Sequence, residues 1–207
     1  SDHVLVILET LLGPRSINIS DSAGDDAQCQ NVTLNSTTAD AACKTIAFAM
    51  NEFRYESFVY LIKPGNYTVD APMTFEAKHL QVLSSDGLVE HGALAPTVVK
   101  CASRCLEADS TRNKTKYAPK LVRGLHFVSS SNHNKQPPPA AAQDYEGGAV
   151  FMSDLPSTGL APGSEHFDIT IEACRFSGFV ALHGGAIYVV NMRARLKIAD
   201  SIFDHNT

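Results

Sequence analysis

Apolar and polar residues alternate in the last part of the chain, and the alternating stretch occurs twice. Residues 169–176 read ITIEACRF and residues 196–203 read LKIADSIF, so the two copies lie 27 residues apart. Alternation with a period of two is typical of a strand with one buried face. The alternation shifts by one residue at Ala173-Cys174, and this shift predicts a corner between two short strands.

A second phrase, Gly-Gly-Ala followed by an aliphatic residue, occurs at 147–150 and again at 184–187. Glycine adopts the positive φ of tight turns without steric cost, so this phrase predicts a second corner. An earlier copy of the alternating stretch, VRGLHF at 122–127, lies 49 residues before its successor. Two inserts of loop composition, at 128–146 and 154–166, account for the longer spacing.

Self-similarity at a fixed period of this size predicts a solenoid in which successive coils stack in register. The competing interpretation is a β-sandwich whose repeats are alike by accident. Further strands are predicted at 58–62, 67–69, 73–75, 80–83, 97–99 and 121–122, with a turn at 63–66. No helical period follows residue 55, so the predicted fold class is all-β.

The first 55 residues follow a different pattern. The apolar run at 4–8 predicts an N-terminal strand that pairs with the body, and the tail of a signal peptide is the alternative. The rest of the segment 1–36 is polar and carries glycosylation sequons. Apolar residues at helical spacing from 38 to 50 predict a helix within 37–55. Because the open end of a solenoid exposes strand edges, we expect this helix to cap the body, residues 56–207.

Two sets of residues resemble known families. The run Cys43-Lys44-Thr45-Ile46 with Ala49, followed by Ile62-x-Pro64-Gly65-x-Tyr67, resembles the start of pectin-lyase-like proteins. The Gly-Gly-Ala-Ile phrase with Phe203-x-x-Asn206 is similar to the repeats of chlamydial polymorphic outer-membrane proteins, although Gly178 replaces the asparagine in the first copy. The resemblance implies a right-handed parallel β-helix with an N-terminal capping helix. It also implies a further coil after the last phrase, and so a segment of a longer protein.

Sequons and charge indicate the compartment. The pattern N-x-S/T occurs at Asn18, Asn31, Asn35, Asn66 and Asn113. These sites predict N-glycosylation and an extracellular or cell-surface location, although Ser- and Thr-rich loops also produce sequons by chance. The net charge of −5 argues against nucleic-acid binding. No stretch approaches the ~20 apolar residues of a membrane span.

Five cysteines agree with an oxidising compartment. Cys29 and Cys43 flank a polar segment, and we predict a disulfide between them. Cys101 and Cys105 are close enough for a local bridge across a turn. The fifth, Cys174, occupies a predicted core position and is interpreted as a small buried filler. Pairing with a cysteine outside this sequence is the alternative.

Catalytic motifs are weak. Glycosidases of the pectin-lyase-like superfamily resemble one another in a series that includes Asp-Asp, Gly-His-Gly and Arg-Ile-Lys. Here Gly24-Asp25-Asp26 precedes the predicted helix, Arg195-Leu196-Lys197 is expected to face solvent on a strand, and Gly-His-Gly is missing. The four carboxylates of the repeats do not recur at the stacking offsets: Asp168, Glu172, Asp200 and Asp204. We therefore predict no catalytic residue, no metal ligand and no cofactor. His126, His183 and His205 are interpreted as surface or loop histidines.

The sequence therefore predicts a non-catalytic extracellular module with a structural, assembly or adhesion role. Its expected partners are other extracellular proteins or further copies of itself, with glycans as another class, and the two inserts are the candidate contact loops. The first alternative is a lyase or hydrolase that acts on acidic polysaccharide. The second is a carbohydrate-binding module that uses Tyr117, Tyr145 and Tyr188.

Overall fold

The computed structural model describes residues 15–30, 42–52, 58–74, 81–84, 97–109, 120–130, 148–153, 168–181, 183–190 and 195–207. Within these residues the protein is mostly β, and every strand pairing is parallel. The predicted strand at 4–8, the insert 154–166 and most of the insert 128–146 lie outside the described residues.

The described strands form three sheets, which we name A, B and C. Sheet A contains β1 (Arg15–Ile19), β2 (Phe58–Ile62), β5 (Gln81–Ser84), β8 (Lys120–Arg123), β11 (Asp168–Glu172) and β14 (Arg195–Ala199). Sheet B contains β3 (Gly65–Val69), β6 (Thr97–Cys101), β9 (His126–Ser129), β12 (Arg175–Ser177) and β15 (Ile202–Asp204). Sheet C contains β4 (Met73–Thr74), β7 (Leu106–Asp109), β10 (Val150–Ser153) and β13 (Ile187–Val190). From β2 onward the chain visits A, B and C in turn, and each strand lies beside the strand of the preceding circuit.

The repeats of the sequence lie in register in the sheets. Ile171 is the partner of Ile198 in sheet A, and Phe176 is the partner of Phe203 in sheet B. The longer offset holds as well, because Phe127 is the partner of Phe176. The predicted stacking of the alternating stretches, with Phe on Phe, is therefore confirmed.

A continuous apolar core lies between the sheets. Met152, Ile171 and Phe176 have no exposed surface. Each has a register partner in the last described circuit: Val189, Ile198 and Phe203, which are 40 %, 43 % and 44 % exposed. The core is therefore closed within the earlier circuits and open at the face formed by β13, β14 and β15.

The corner between sheets A and B lies where the alternation shifts. Gly124, Ala173 and Asp200 each stand between a strand of sheet A and the next strand of sheet B, and their φ angles are 72°, 51° and 49°. This left-handed conformation turns the chain in one residue. Glycine adopts it freely, whereas Ala173 adopts it at a cost of about 1 to 2 kcal/mol.

The Gly-Gly phrase lies where consecutive circuits approach most closely. The amide of Gly148 donates to the carbonyl oxygen of Gly185, at 3.0 Å. A Cβ at Gly148 would collide with that same oxygen and would lie 2.8 Å from the Cβ of Phe179. A Cβ at Gly185 would lie 3.2 Å from the backbone of Thr207. The second glycine of each phrase is therefore required because the next circuit occupies the space of a side chain.

The helical region differs from the prediction. The described helices are α1 (Asp26–Gln30) and α2 (Ile46–Glu52). Helix α1 was not predicted. Helix α2 begins later than expected because Thr45 caps it: its Oγ1 accepts a hydrogen bond from the amide of Phe48. Residues 42–45 are not helical, and Cys43 forms a parallel bridge with Ile19 of β1. Helix α2 contacts β1, β3 and β4, and so lies against the first circuit as a cap would.

Three strand predictions need correction. β1 lies inside the segment 1–36 but is the first strand of sheet A, so the sheets do not begin at residue 56. β7 was missed. β3 begins at Gly65, within the predicted turn at 63–66, because Asp21 accepts a hydrogen bond from the amide of Asn66, at 2.9 Å, and holds the chain extended there.

Candidate functional site

A polar cluster lies across the outer face of sheet B. It consists of His126 on β9, Arg175 and Ser177 on β12, and Asp204 on β15. The Nε2 of His126 is 2.8 Å from Ser177 Oγ. Ser177 Oγ and Arg175 Nη2 both donate to the carboxylate of Asp204, one to each oxygen. The cluster therefore joins three neighbouring strands, and so three consecutive circuits.

The protonation states in the cluster follow from these contacts. Hydrogen bonds from Arg175 and then Ser177 lower the pKa of Asp204 to about 2, so its carboxyl group is ionised near neutral pH. Burial, and next the positive charge of Arg175, lower the pKa of His126 below its ordinary value. His126 is 8 % exposed, and its Nδ1 is buried without a hydrogen-bond partner. The imidazole is therefore neutral near pH 7.

The hydrogen-bond directions show what the cluster can do. Because Ser177 donates its proton to Asp204, its oxygen accepts from the Nε2–H of His126. A nucleophilic serine needs the opposite arrangement, in which a histidine takes the serine proton and a third group orients the other ring nitrogen. Here Asp204 contacts Ser177 and no group contacts Nδ1. The cluster is therefore arranged to hold adjacent circuits together, and it lacks the geometry of an acyl-transfer site.

His126 was predicted to be a surface histidine, and this is wrong. Its outward position on sheet B is as expected, but the imidazole is buried and hydrogen-bonded to Ser177. His183 and His205 are exposed, as predicted. The cluster itself was missed, although the two stacking offsets bring its members together: 27 residues separate Ser177 from Asp204, and 49 separate His126 from Arg175.

The Asp-Asp pair at 25–26 has a structural role. Asp25 Oδ1 accepts the amide of Ala27 at 2.9 Å, and so caps α1. Asp26 accepts the amides of Lys44 and Thr45 and the hydroxyl of Thr45, at 2.7 to 3.0 Å. Both carboxylates therefore organise the two helices.

The other carboxylates of the repeats do not converge. Glu172 forms an ion pair with Arg123 at 3.4 Å, and its register partner in β14 is Ala199. Asp200 is exposed at the corner between β14 and β15. Asp168 lies in β11 opposite Arg195 in β14. Among the residues that the structure describes, no group of three His, Cys, Asp or Glu side chains could hold a metal ion.

Both predicted disulfides are present. Cys29–Cys43 ties α1 to the chain just before α2, and Cys101–Cys105 spans the connection from β6 to β7. Cys174 is free and 1 % exposed. Burial raises the pKa of its thiol to about 12, and its Sγ lies 3.4 Å from the carbonyl oxygen of Glu172. This agrees with the interpretation of Cys174 as a buried filler.

The asparagine of the Phe-x-x-Asn phrase connects circuits. Asn206 Nδ2 donates to the carbonyl oxygen of Phe176, and its Oδ1 accepts the amide of Phe179, at 2.9 and 3.0 Å. Its counterpart 27 residues earlier is Phe179, so the assignment of that position to Gly178 is wrong. Gly178 instead matches His205, and both have a positive φ, 73° and 55°.

An aromatic stack lies on sheet C. Tyr188 is 6.1 Å from Phe151 and 5.9 Å from His183 between ring centroids. The guanidinium of Arg104 lies 4.2 Å from the centroid of Phe151. The faces of Phe151 and Tyr188 are therefore occupied by neighbouring groups, which leaves no open ring face on Phe151 for a sugar. Tyr117 and Tyr145 lie outside the described residues.

Of the predicted sequons, Asn18 and Asn66 are described, and Asn31, Asn35 and Asn113 lie outside the described residues. None of the helices in the described part of the chain has the length and apolar character that a membrane crossing requires. Comparison of the chain with protein-family models, curated proteins and solved structures gave no match.

Proposed function

We propose that the chain is a non-catalytic extracellular module, a right-handed parallel β-helix with a structural, assembly or adhesion role. The observation that carries this proposal is the register of the three parallel sheets, in which side chains from consecutive circuits stack from Phe127 through Phe176 to Phe203. Connections between parallel strands of one sheet are right-handed in about 98 % of cases. Repeated right-handed circuits produce a β-helix.

The lateral contacts favour a load-bearing role. Hydrogen bonds between backbones join each circuit to the next, and the cluster of His126, Arg175, Ser177 and Asp204 adds bonds between side chains on the outer face. Asn206 adds two more. Polar groups that an enzyme would direct towards a substrate are here directed towards neighbouring circuits.

The extracellular setting is supported by the two disulfides and by the sequons. Disulfides form and persist in oxidising compartments, and Cys29–Cys43 and Cys101–Cys105 are both buried in the structure. Five N-x-S/T sites in 207 residues fit a secreted glycoprotein. The proposed partners are other extracellular proteins, further copies of the chain, or glycans.

Two measurements test this function. An antibody raised against the chain should label intact, unpermeabilised cells or the matrix around them. Label that appears only after permeabilisation would contradict the extracellular role. Incubation of the purified chain with a panel of uronic-acid polymers, with and without calcium, should release no unsaturated or reducing ends. Turnover that survives repurification would establish the lyase or hydrolase alternative.

A further inference from the structure

The sequon at Asn66 lies on a strand that presents it to solvent. In β3 the side chains of Asn66 and Thr68 are exposed, and Tyr67 between them is 3 % exposed. This is the strand period of two, which places the asparagine and the hydroxyl of N-x-T on one face. β3 is also the last described strand of sheet B, with β6 as its neighbour. Both chemical groups that define the sequon are therefore displayed together at the margin of a sheet.

The backbone of this sequon is held firmly. The hydroxyl of Tyr67 donates to the carbonyl oxygens of Lys63 and Ile19, at 2.9 and 3.2 Å. The amide of Asn66 donates to Asp21. The inward side chain thus anchors the strand from within the core, and the outward side chains can carry a large substituent without disturbing these bonds.

The sequon at Asn18 is arranged differently. β1 ends at Ile19, and the chain turns at Ser20. Ser20 is 3 % exposed, and its hydroxyl accepts a hydrogen bond from the amide of Ala23 at 3.2 Å. The side chain of Asn18 is half-buried, and its carbonyl oxygen accepts the amide of Cys43. The asparagine and the hydroxyl of this sequon do not share an exposed face.

We propose that Asn66 carries an N-linked oligosaccharide in the folded protein and that Asn18 carries none. This inference rests on the proposed extracellular setting and assigns a modification to one place in it. A glycan is bulky and solvated, and on Asn18 it would have to leave a half-buried position beside the Cys43 contact, so chains modified there would not complete the cap. On Asn66 it extends from the outer face of sheet B beside Val98, the register partner of Asn66.

The test is glycopeptide mapping of the 207-residue chain produced behind a cleavable secretion signal in eukaryotic cells. Enzymatic release of N-glycans converts each modified asparagine to aspartate, and mass spectrometry then locates the change. Both secreted and cell-retained protein are mapped. We expect aspartate at position 66 in most molecules and unchanged asparagine at position 18. Modified Asn18, or unmodified Asn66, in folded protein would overturn the inference.

Matched variants exclude indirect effects. N66Q and T68A remove the asparagine and the hydroxyl of one sequon separately, and each should abolish the same glycopeptide. N18Q should leave the glycan pattern unchanged. A glycan at Asn31, Asn35 or Asn113 together with unmodified Asn66 would refute this inference alone. A chain bare at all five sequons would refute it and would also remove the sequon argument for the extracellular setting.

Discussion

Phe176 lies between Phe127 and Phe203, with ring centroids 5.0 Å from Phe203 and an interplanar angle of 10°. The distance to Phe127 is 5.2 Å. The three residues are 49 and 27 positions apart in the chain but adjacent in sheet B. This column shows how one apolar position per circuit, repeated in the sequence, becomes a continuous core.

The first prediction concerns this column. Phe176→Ala should destabilise the protein by about 3 to 5 kcal/mol, because it removes a fully buried ring and leaves a cavity between two others. Phe203→Ala is the matched control. Its ring is 44 % exposed, so its loss should cost about 1 to 2 kcal/mol. Denaturant unfolding monitored by circular dichroism measures both. Equal costs would contradict the packing described.

The second prediction separates two reasons for glycine. Gly148→Ala should cost more than about 2 kcal/mol, because the added Cβ collides with the carbonyl oxygen of Gly185 in the next circuit. Gly178→Ala adds a Cβ with no atom within 4 Å, but at a φ of 73°, so it should cost about 1 kcal/mol. The same unfolding assay ranks the two variants. If Gly148→Ala proves the milder change, the close approach of the circuits is wrong.

The third prediction is a dependence of stability on pH. The pKa of His126 is lowered in the folded state, so below about pH 6.5 the unfolded chain binds a proton that the folded chain binds less readily. Stability should therefore fall as pH drops from 7 to 5. His126→Gln should flatten this part of the profile relative to the unaltered chain. His183→Gln, which changes an exposed histidine, should leave the slope in place.

Asp204 acts in a lower range of the same profile. Its pKa of about 2 lies below the ordinary value, so its contribution to stability is present above about pH 4 and is lost as the pH falls through 2. Asp204→Asn should remove this contribution. The variant and the unaltered chain should differ most near neutral pH and converge below pH 2. A constant difference across the range would show that the charge of Asp204 is unimportant.

The fourth prediction concerns the free thiol. Cys174 is buried, and its pKa is about 12, so an alkylating reagent at pH 8 should not modify the folded protein. Unfolding without a reductant should expose one thiol, because the other four cysteines are paired. Intact-mass spectrometry counts the added groups. Rapid labelling of folded protein would show that this core position is open.

The stacking could be predicted from the sequence because it repeats single residues at fixed offsets. Ile171 with Ile198 and Phe176 with Phe203 follow from one number, and the corner at Ala173 follows from the shift in alternation. The start of α2 could not be predicted, because the carboxylate of Asp26 binds the amides of Lys44 and Thr45 from 18 and 19 residues away. Tertiary contacts of this kind leave no local pattern.

The polar cluster was hidden for a different reason. Its members become neighbours only when both offsets are applied at once, 49 residues from His126 to Arg175 and 27 from Ser177 to Asp204. The sequence marks apolar stacking by chemical likeness, Phe with Phe. On the outer face the register partners Ser177 and Asp204 are chemically unlike and complementary, so self-similarity does not reveal them.

Nuclear Overhauser contacts among aromatic side chains test the stacking most directly. In a carbon-edited spectrum of the folded 207-residue chain, the ring protons of Phe176 should give cross-peaks to the rings of both Phe127 and Phe203. Those contacts would join residues 49 and 27 positions apart, as parallel circuits in register require. A spectrum in which Phe176 contacts neither ring, while the protein is folded, would contradict the stacking.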